Sequence, residues 1–300
     1  MILTVCTSPC LDVTTYVDKQ GNCIKPTTSV CGGKGINVAV GARRLGGEPF
    51  LLGVMFDENK REFTEYLQSE NVSFSFVTER GCVRKNNKLF DGETLIEQNQ
   101  PATPITQQSA EQILQQISRL SAQSQATVLS GSLPKNLSPS FYKSMAQAVD
   151  KSSYLIIDAT GENLRQGIAA NREIDFIKPN LQELAETTGE QITDLSALKR
   201  SCQKLIAMGA KRVLVSLGKQ GAVITDGKTY YHAKSDCQAV NSTVGAGDAM
   251  VAAVALQQTK DNRLQALLRA GIAAGTARVT ERFTQKDYEQ IFLQTKVKEI

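Results

Sequence analysis

The chain has no tryptophan and a single histidine, and these two scarcities remove a good deal of chemistry. One imidazole is too few for a histidine-based metal centre, and most triad hydrolases need a free one. His232 lies in the strand-like run Tyr230-Tyr231-His232 and reads as structural. The seven cysteines, Cys6, Cys10, Cys23, Cys31, Cys82, Cys202 and Cys237, are odd in number and show no Cys-x-x-Cys spacing. That pattern argues against a disulfide framework or a zinc site and points to a reducing cytoplasm. No block of five or six like charges occurs, and the net charge is only +4. No basic stripe is interleaved with aromatics, so a nucleic-acid partner is not expected. No apolar run approaches the roughly 20 residues of a membrane helix. The opening Met1-Ile2-Leu3-Thr4-Val5 lacks a basic flank and reads as a first strand rather than a signal peptide. Gly-x-x-x-x-Gly-Lys-Ser/Thr, His-Arg-Asp and Gly-x-Ser-x-Gly are all absent, which sets aside P-loop enzymes, protein kinases and elbow-type serine hydrolases.

What is present is an alternation of buried strands and helices. Apolar runs at Ile2–Cys6, Phe50–Val54, Thr127–Leu129, Tyr154–Ile157, Phe176–Ile177 and Arg212–Val215 predict strands. Helical periodicity covers Gly35–Leu45, Ser109–Leu120, Leu195–Met208 and Arg263–Val279. Continuously apolar strands alternating with helices predict a parallel sheet covered on both faces. With no linker or internal repeat, residues 1–300 read as one domain. Two stretches, about 12–30 and 72–98, break the rhythm with hairpin-like strands and no intervening helix. Turns are expected at Gln20-Gly21-Asn22 and Asp91-Gly92. These stretches are either surface hairpins or a small sheet covering a site.

Four segments carry candidate chemistry. Val244-Gly245-Ala246-Gly247-Asp248 places small residues and one acid at a helix start. Such a turn binds anions through its amides, yet a carboxylate repels phosphate. The conflict suggests a base beside a phosphate that reacts; the alternative is a plain N-cap. It is not a dinucleotide fingerprint, because Met250 stands at the third glycine position. Cys31-Gly32-Gly33-Lys34-Gly35-Ile36-Asn37 adds a close-approach turn with a cation and an amide. In Lys178-Pro179-Asn180-Leu181-Gln182-Glu183, Asn180 and Glu183 share a helix face and could hold hydrated Mg²⁺, or simply form a capping box. Ser216-Leu217-Gly218-Lys219-Gln220-Gly221 follows another strand and could be a ligand loop or a hairpin turn.

Taken in order, these segments and Ser130-Gly131-Ser132-Leu133-Pro134 resemble the PfkB (ribokinase-like) carbohydrate kinases over essentially the whole chain. The resemblance implies a doubly wound, mostly parallel α/β sheet flanked by helices, with a small β-sheet lid. It implies ATP-dependent phosphoryl transfer to a sugar hydroxyl, with Mg²⁺ as cofactor. Asp248 would be the catalytic base, and Gly245, Ala246 and Gly247 the anion hole. Asn180 and Glu183 match the motif that organises Mg²⁺. Lys178, Ser216, Gly218 and Gly221 match positions near the nucleotide, and Asp12, Gly33, Asn37 and Ser132 match sugar-contacting ones. The run Arg84-Lys85-Asn86-Asn87-Lys88-Leu89 resembles a segment of 1-phosphofructokinases and tagatose-6-phosphate kinases. With Lys34, the cations Arg84 and Lys88 suit a phosphorylated acceptor. Fructose 1-phosphate is the expected acceptor, with tagatose 6-phosphate and fructose 6-phosphate as alternatives. Asp158-Ala159-Thr160-Gly161-Glu162 leans toward the minor-type 6-phosphofructokinases. The family also implies a homodimer formed through the lid. Asn241-Ser242 replaces an acid common in the wider family, and the loop after Val279 is shorter than usual.

Two other classes compete. A sugar-phosphate or nucleotide sensor on the same fold would bind without turnover, against which stand Asp248, Asn180 and Glu183. A nicotinamide oxidoreductase would need a Gly-x-Gly-x-x-Gly turn after the first strand, where the chain has Thr7-Ser8-Pro9-Cys10.

Overall fold

The structure is a computed structural model that describes the chain apart from residues 19, 92–94, 236–242 and 281. Cys237, the Asn241-Ser242 pair and the Gly92 half of the second expected turn lie outside the described residues. The chain begins with β1 (Ile2–Cys6), β2 (Cys10–Tyr16), β3 (Thr28–Gly32), α1 (Lys34–Arg44), β4 (Pro49–Phe56), α2 (Lys60–Ser69) and β5 (Ser73–Glu79). It continues with β6 (Arg84–Phe90), β7 (Leu95–Asn99), α3 (Gln107–Ser121), β8 (Ala126–Ser130), α4 (Ser140–Ala148), β9 (Tyr154–Asp158) and α5 (Gly161–Ile168). Then come β10 (Phe176–Ile177), α6 (Leu181–Thr188), α7 (Leu195–Ala207), β11 (Val213–Ser216), β12 (Ala222–Thr225) and β13 (Tyr230–Ala233). The last elements are α8 (Ala246–Gln257), α9 (Leu264–Val279), α10 (Gln285–Gln294) and β14 (Val297–Glu299).

Among the described residues the large sheet has ten strands in the order β14-β13-β12-β11-β10-β9-β8-β1-β4-β5. It is parallel from β11 to β5, and β12, β13 and β14 add an antiparallel edge. Every residue of β1 and β8 is buried, as expected of strands covered on both faces. One face packs against α3, α4, α5 and their neighbours, with Phe63, Ile113, Ile117 and Tyr142 fully buried. On the other face lie α1, α8 and α9, through Val38, Val251, Val254, Leu267 and Ile272. Asp248 to Ala255 of α8 are buried without a break, because Tyr288 and Phe292 of α10, with Phe283 just before it, pack against the apolar cluster on its outer side. A helix apolar all round must be enclosed all round.

Chain progress reverses between β1 and β8: β1, β4 and β5 run one way across the sheet, and β8 to β11 the other. Ligands of open α/β sheets bind at such a switch point, beyond the carboxyl ends of the strands. The small sheet stands at that end. Its order is β3-β2-β6-β7, two antiparallel hairpins joined by a parallel β2–β6 ladder in which Cys10 pairs with Arg84 and Asp12 with Asn86.

The second insertion is shorter than expected. Phe74–Thr78 lies in β5, which pairs in parallel with β4 at the edge of the large sheet, so the small sheet begins only at Arg84. The crossover that makes this possible is α2, a polar helix that buries only Phe63 and Leu67. Among the described residues no helix is long and apolar enough to cross a membrane.

Candidate active site

Helix α8 starts on Gly245, which takes the left-handed conformation at φ 78°, and no side chain caps it. Its first turn therefore presents amides to an anion, although that of Ala246 also donates to the Thr243 carbonyl at 3.3 Å. Lys178, directly after β10, puts its Nζ 3.1 Å from the point where a side chain on Gly247 would begin. A cation thus lies against the glycine turn. Arg278, from the last turn of α9, brings its Nε to 3.1 Å from the same point on Gly245.

Asp248 sits in the first turn of α8 and is 8% exposed. Its Oδ2 accepts a hydrogen bond of 2.8 Å from Nδ2 of Asn37 in α1. Burial pushes the Asp248 carboxyl up, and the nearby Asp158 charge pushes it further; Lys34, the Asn37 bond and Lys178 oppose this without cancelling it. A carboxylate held above its ordinary range is the better proton acceptor.

Asp158 ends β9 and is 1% exposed. Its Oδ2 lies 3.3 Å from Lys34 Nζ and its Oδ1 3.4 Å from Lys178 Nζ. Burial alone would raise this carboxyl, but Lys178 and Lys34 together hold it below the usual carboxylate range. One buried anion therefore tethers a cation from each side of the site. Nothing in the sequence singled out Asp158 for this work: its two partners come from distant elements, and only the fold brings them together.

At the switch point is a cavity of about 190 Å³ lined by Cys6, Ser8, Lys34, Arg84, Ser130 to Ser132, Ala159 and Thr160. Among the described residues, Ser8 Oγ, Ser130 Oγ and Arg84 Nε are buried there without a hydrogen-bond partner. Such groups are costly unless something completes them. Arg84 Nη2 reaches Ser132 Oγ at 3.4 Å, joining the small sheet to the loop after β8. A larger cavity, about 350 Å³, lies at the opposite end of the sheet around Lys211, Arg212 and Arg263. It is remote from Asp248, and its cations are engaged: Lys211 by Glu173 and Asp175, Arg263 by Asp261, and Arg212 by the Tyr154 hydroxyl. The smaller one is where the chemistry converges.

The remaining expected residues fall around this centre. Gly33 leads directly into α1, placing Lys34 at the helix start and Asn37 one turn along. Asp12 and Lys88 lie on the small sheet, in register with Asn86 and Thr14 respectively. Lys88 is not among the residues lining the cavity. Asn180 and Glu183 form a complete capping box at the start of α6, with bonds of 2.8 and 2.9 Å. The Glu183 carboxylate keeps one oxygen without a partner among the described residues. Among those residues no cluster of three or more His, Cys, Asp or Glu could hold a metal ion. The open carboxylate oxygen of Glu183 is a hard donor of the kind that suits hydrated Mg²⁺. Ser216 bridges to Asn180, bonding to the Pro179 carbonyl at 3.0 Å, and a single 3₁₀ turn at Gly218–Gln220 links β11 to β12. Gly221 is required by packing, since a side chain there would begin 2.0 Å from the Ala233 carbonyl.

The profile described as pfkB family carbohydrate kinase matches residues 3–291. The 1-phosphofructokinase of Vibrio cholerae is 27% identical over 93% of this chain and 90% of its own length. The ATP-dependent 6-phosphofructokinase isozyme 2 of Escherichia coli is 30% identical over 92% and 91%. A structure of that phosphofructokinase-2, described as a tetrameric inhibited form, superimposes with a TM-score of 0.89 over 98% of both chains at 27% identity. The tagatose-6-phosphate kinase of Staphylococcus epidermidis is 25% identical over the full length of both. A switch-point cavity, an uncapped glycine turn with its buried carboxylate and a match spanning nearly every residue lead to one assignment: the chain is an enzyme of the pfkB family of carbohydrate kinases.

Proposed function

We propose that this enzyme transfers the terminal phosphoryl group of ATP to a free hydroxyl of a ketohexose phosphate, with fructose 1-phosphate as the preferred acceptor. The observation that carries the reading is the pairing of Asp248, at the glycine turn, with a neighbouring cavity whose cations are Lys34 and Arg84. Lys34 already shares Asp158 with Lys178, but among the described residues the Arg84 guanidinium bonds only to neutral groups and keeps its buried Nε open; a sugar phosphate supplies the missing counter-charge. The names of the three relatives support the same substrate class.

In the reaction, the acceptor hydroxyl oxygen forms a bond to the γ-phosphorus as the bond from that phosphorus to the β–γ bridging oxygen breaks. The hydroxyl proton passes to Asp248, and ADP leaves with the bridging oxygen. The amides of Gly245, Ala246 and Gly247 take up the charge that builds on the moving group, with Lys178 beside them. Asn180 and Glu183 would hold hydrated Mg²⁺, which when bound neutralises phosphate charge. Ser216 and Gly218 border the nucleotide. Asp12, Gly33, Asn37 and Ser132 hold the sugar, and Arg84, Lys34 and the more distant Lys88 draw its phosphate.

The enzyme works in the cytoplasm as a homodimer joined through the small sheet. Of the eight large hydrophobic side chains exposed among the described residues, Ile24, Val30, Leu89 and Ile96 belong to that sheet or its connection. Such a concentration marks an interface.

ADP release with Mg-ATP against fructose 1-phosphate, fructose 6-phosphate, tagatose 6-phosphate, fructose and ribose tests the reading. Turnover of fructose 1-phosphate above the rest is expected. Preference for another ketose phosphate would correct the acceptor alone, and binding of sugar phosphate without turnover would make the protein a sensor.

A further inference from the structure

Asn86 belongs to no assigned role, yet every hydrogen-bonding group of its side chain is engaged. Its Nδ2 donates to Asp12 Oδ1 at 3.0 Å and to Cys10 Sγ at 3.2 Å, and its Oδ1 accepts from Arg84 Nη1 at 3.1 Å. The orientation of the amide is forced. Turned over, it would set oxygen against carboxylate and NH₂ against guanidinium. A neutral group thus stands between an anion and a cation on one face of the small sheet. The groups it separates are the two the proposed reaction needs apart: Asp12 for a sugar hydroxyl and Arg84 for the acceptor phosphate.

Each is left unfinished on its other side. Asp12 Oδ2 takes no hydrogen bond from the described residues, and it fits where it does because residue 32 is glycine; a side chain there would begin 2.6 Å from that oxygen. Arg84 Nε is buried and has no partner among the described residues.

We propose that Asn86 is a positioning residue that keeps Asp12 and Arg84 from collapsing into an ion pair, so that both face the acceptor. This rests on the ketohexose-phosphate reading above. An amide with one donor end and one acceptor end does this without adding charge. Alanine at 86 would remove the separator, and in a half-buried setting the carboxylate and guanidinium would attract strongly enough to join. Both would then be lost to substrate together.

The test is acceptor binding by calorimetry without ATP, followed by steady-state kinetics. Asn86→Ala should weaken fructose 1-phosphate binding at least tenfold while KM for ATP stays within twofold and kcat within about threefold. Arg84→Ala alone should also cost at least tenfold. In the Asn86→Ala background it should cost less than threefold, because Asp12 has already captured that guanidinium. A merely structural role would lower ATP and acceptor affinity together and leave the two substitutions additive; either result overturns the proposal, as does normal acceptor binding by Asn86→Ala. A wild-type enzyme that binds no ketohexose phosphate removes the proposed function and this inference with it. A wild-type enzyme that binds one, with Asn86→Ala unchanged, removes only the inference.

Discussion

Two aspartates of opposite electrostatic character lie at the centre of this site, and each can be tested alone. Asp248→Asn keeps the size of the side chain, so fold and acceptor binding should survive while kcat falls by about 10²–10⁴, the usual worth of a positioned base. Turnover near the wild-type rate would show that another group takes the proton. Because burial and Asp158 hold the Asp248 carboxyl high, kcat/KM should fall as pH drops through a value above the ordinary carboxylate range. Asp158→Asn should shift that acid limb to lower pH, since a repelling charge is gone, and should also lower Tm by releasing Lys34 and Lys178 from their shared counterion. The stability contributed by Asp158 has the sign of a depressed carboxylate. It is present above the unfolded value near 4 and lost as pH falls through the lower folded one. An unchanged acid limb in that variant would mean the two carboxylates do not sense each other. Asp248 was legible in the sequence because a lone acid in a glycine turn is locally incongruous. Asp158 and Asn86 were not, because their roles are relations: one needs two lysines from distant segments, the other a carboxylate and a guanidinium brought together by strand pairing.

Helix α6 opens on a capping box whose two residues also carry a proposed Mg²⁺ role, and the structural and chemical parts can be separated. Asn180→Ala breaks the capping box and should cost about 1 kcal/mol of stability, lowering Tm by a few degrees. Glu183→Gln keeps the side-chain acceptor that returns to the Asn180 amide but removes the charge. It should leave Tm nearly unchanged and raise the Mg²⁺ concentration needed for half-maximal activity severalfold. Equal Mg²⁺ dependence in both proteins would leave Glu183 as a cap alone. At this scale the sequence was read well wherever burial is continuous: β1 and β10 match the expected runs residue for residue, and α1 and α9 to within about a turn. It was misread at β5. Helix α2 is amphipathic but short and polar on average, burying only Phe63 and Leu67, and without a recognised crossover helix a strand at Phe74–Thr78 looks like part of a hairpin.

For the molecule as a whole, the proposed dimer can be tested at the small sheet. Ile96→Asp together with Val30→Asp should convert the expected dimer to a monomer in sedimentation or light scattering. A wild-type protein already monomeric at micromolar concentration would remove the dimer from the reading. The parallel ladder between β2 and β6 has a bearing on time as well as on shape. It zips Cys10–Tyr16 to Arg84–Phe90 across two insertions that leave the large sheet from different strands. Closing so long a loop is entropically slow, and neither hairpin alone sets Asp12 beside Asn86. The nascent chain can therefore build most of its first few strands before it has any grip on an acceptor. In the mature protein, the β2 and β6 amides should exchange with deuterium as a single cooperative unit, at a lower opening free energy than β1 and β8. The proposed recognition of the acceptor would then be the first property the chain gives up.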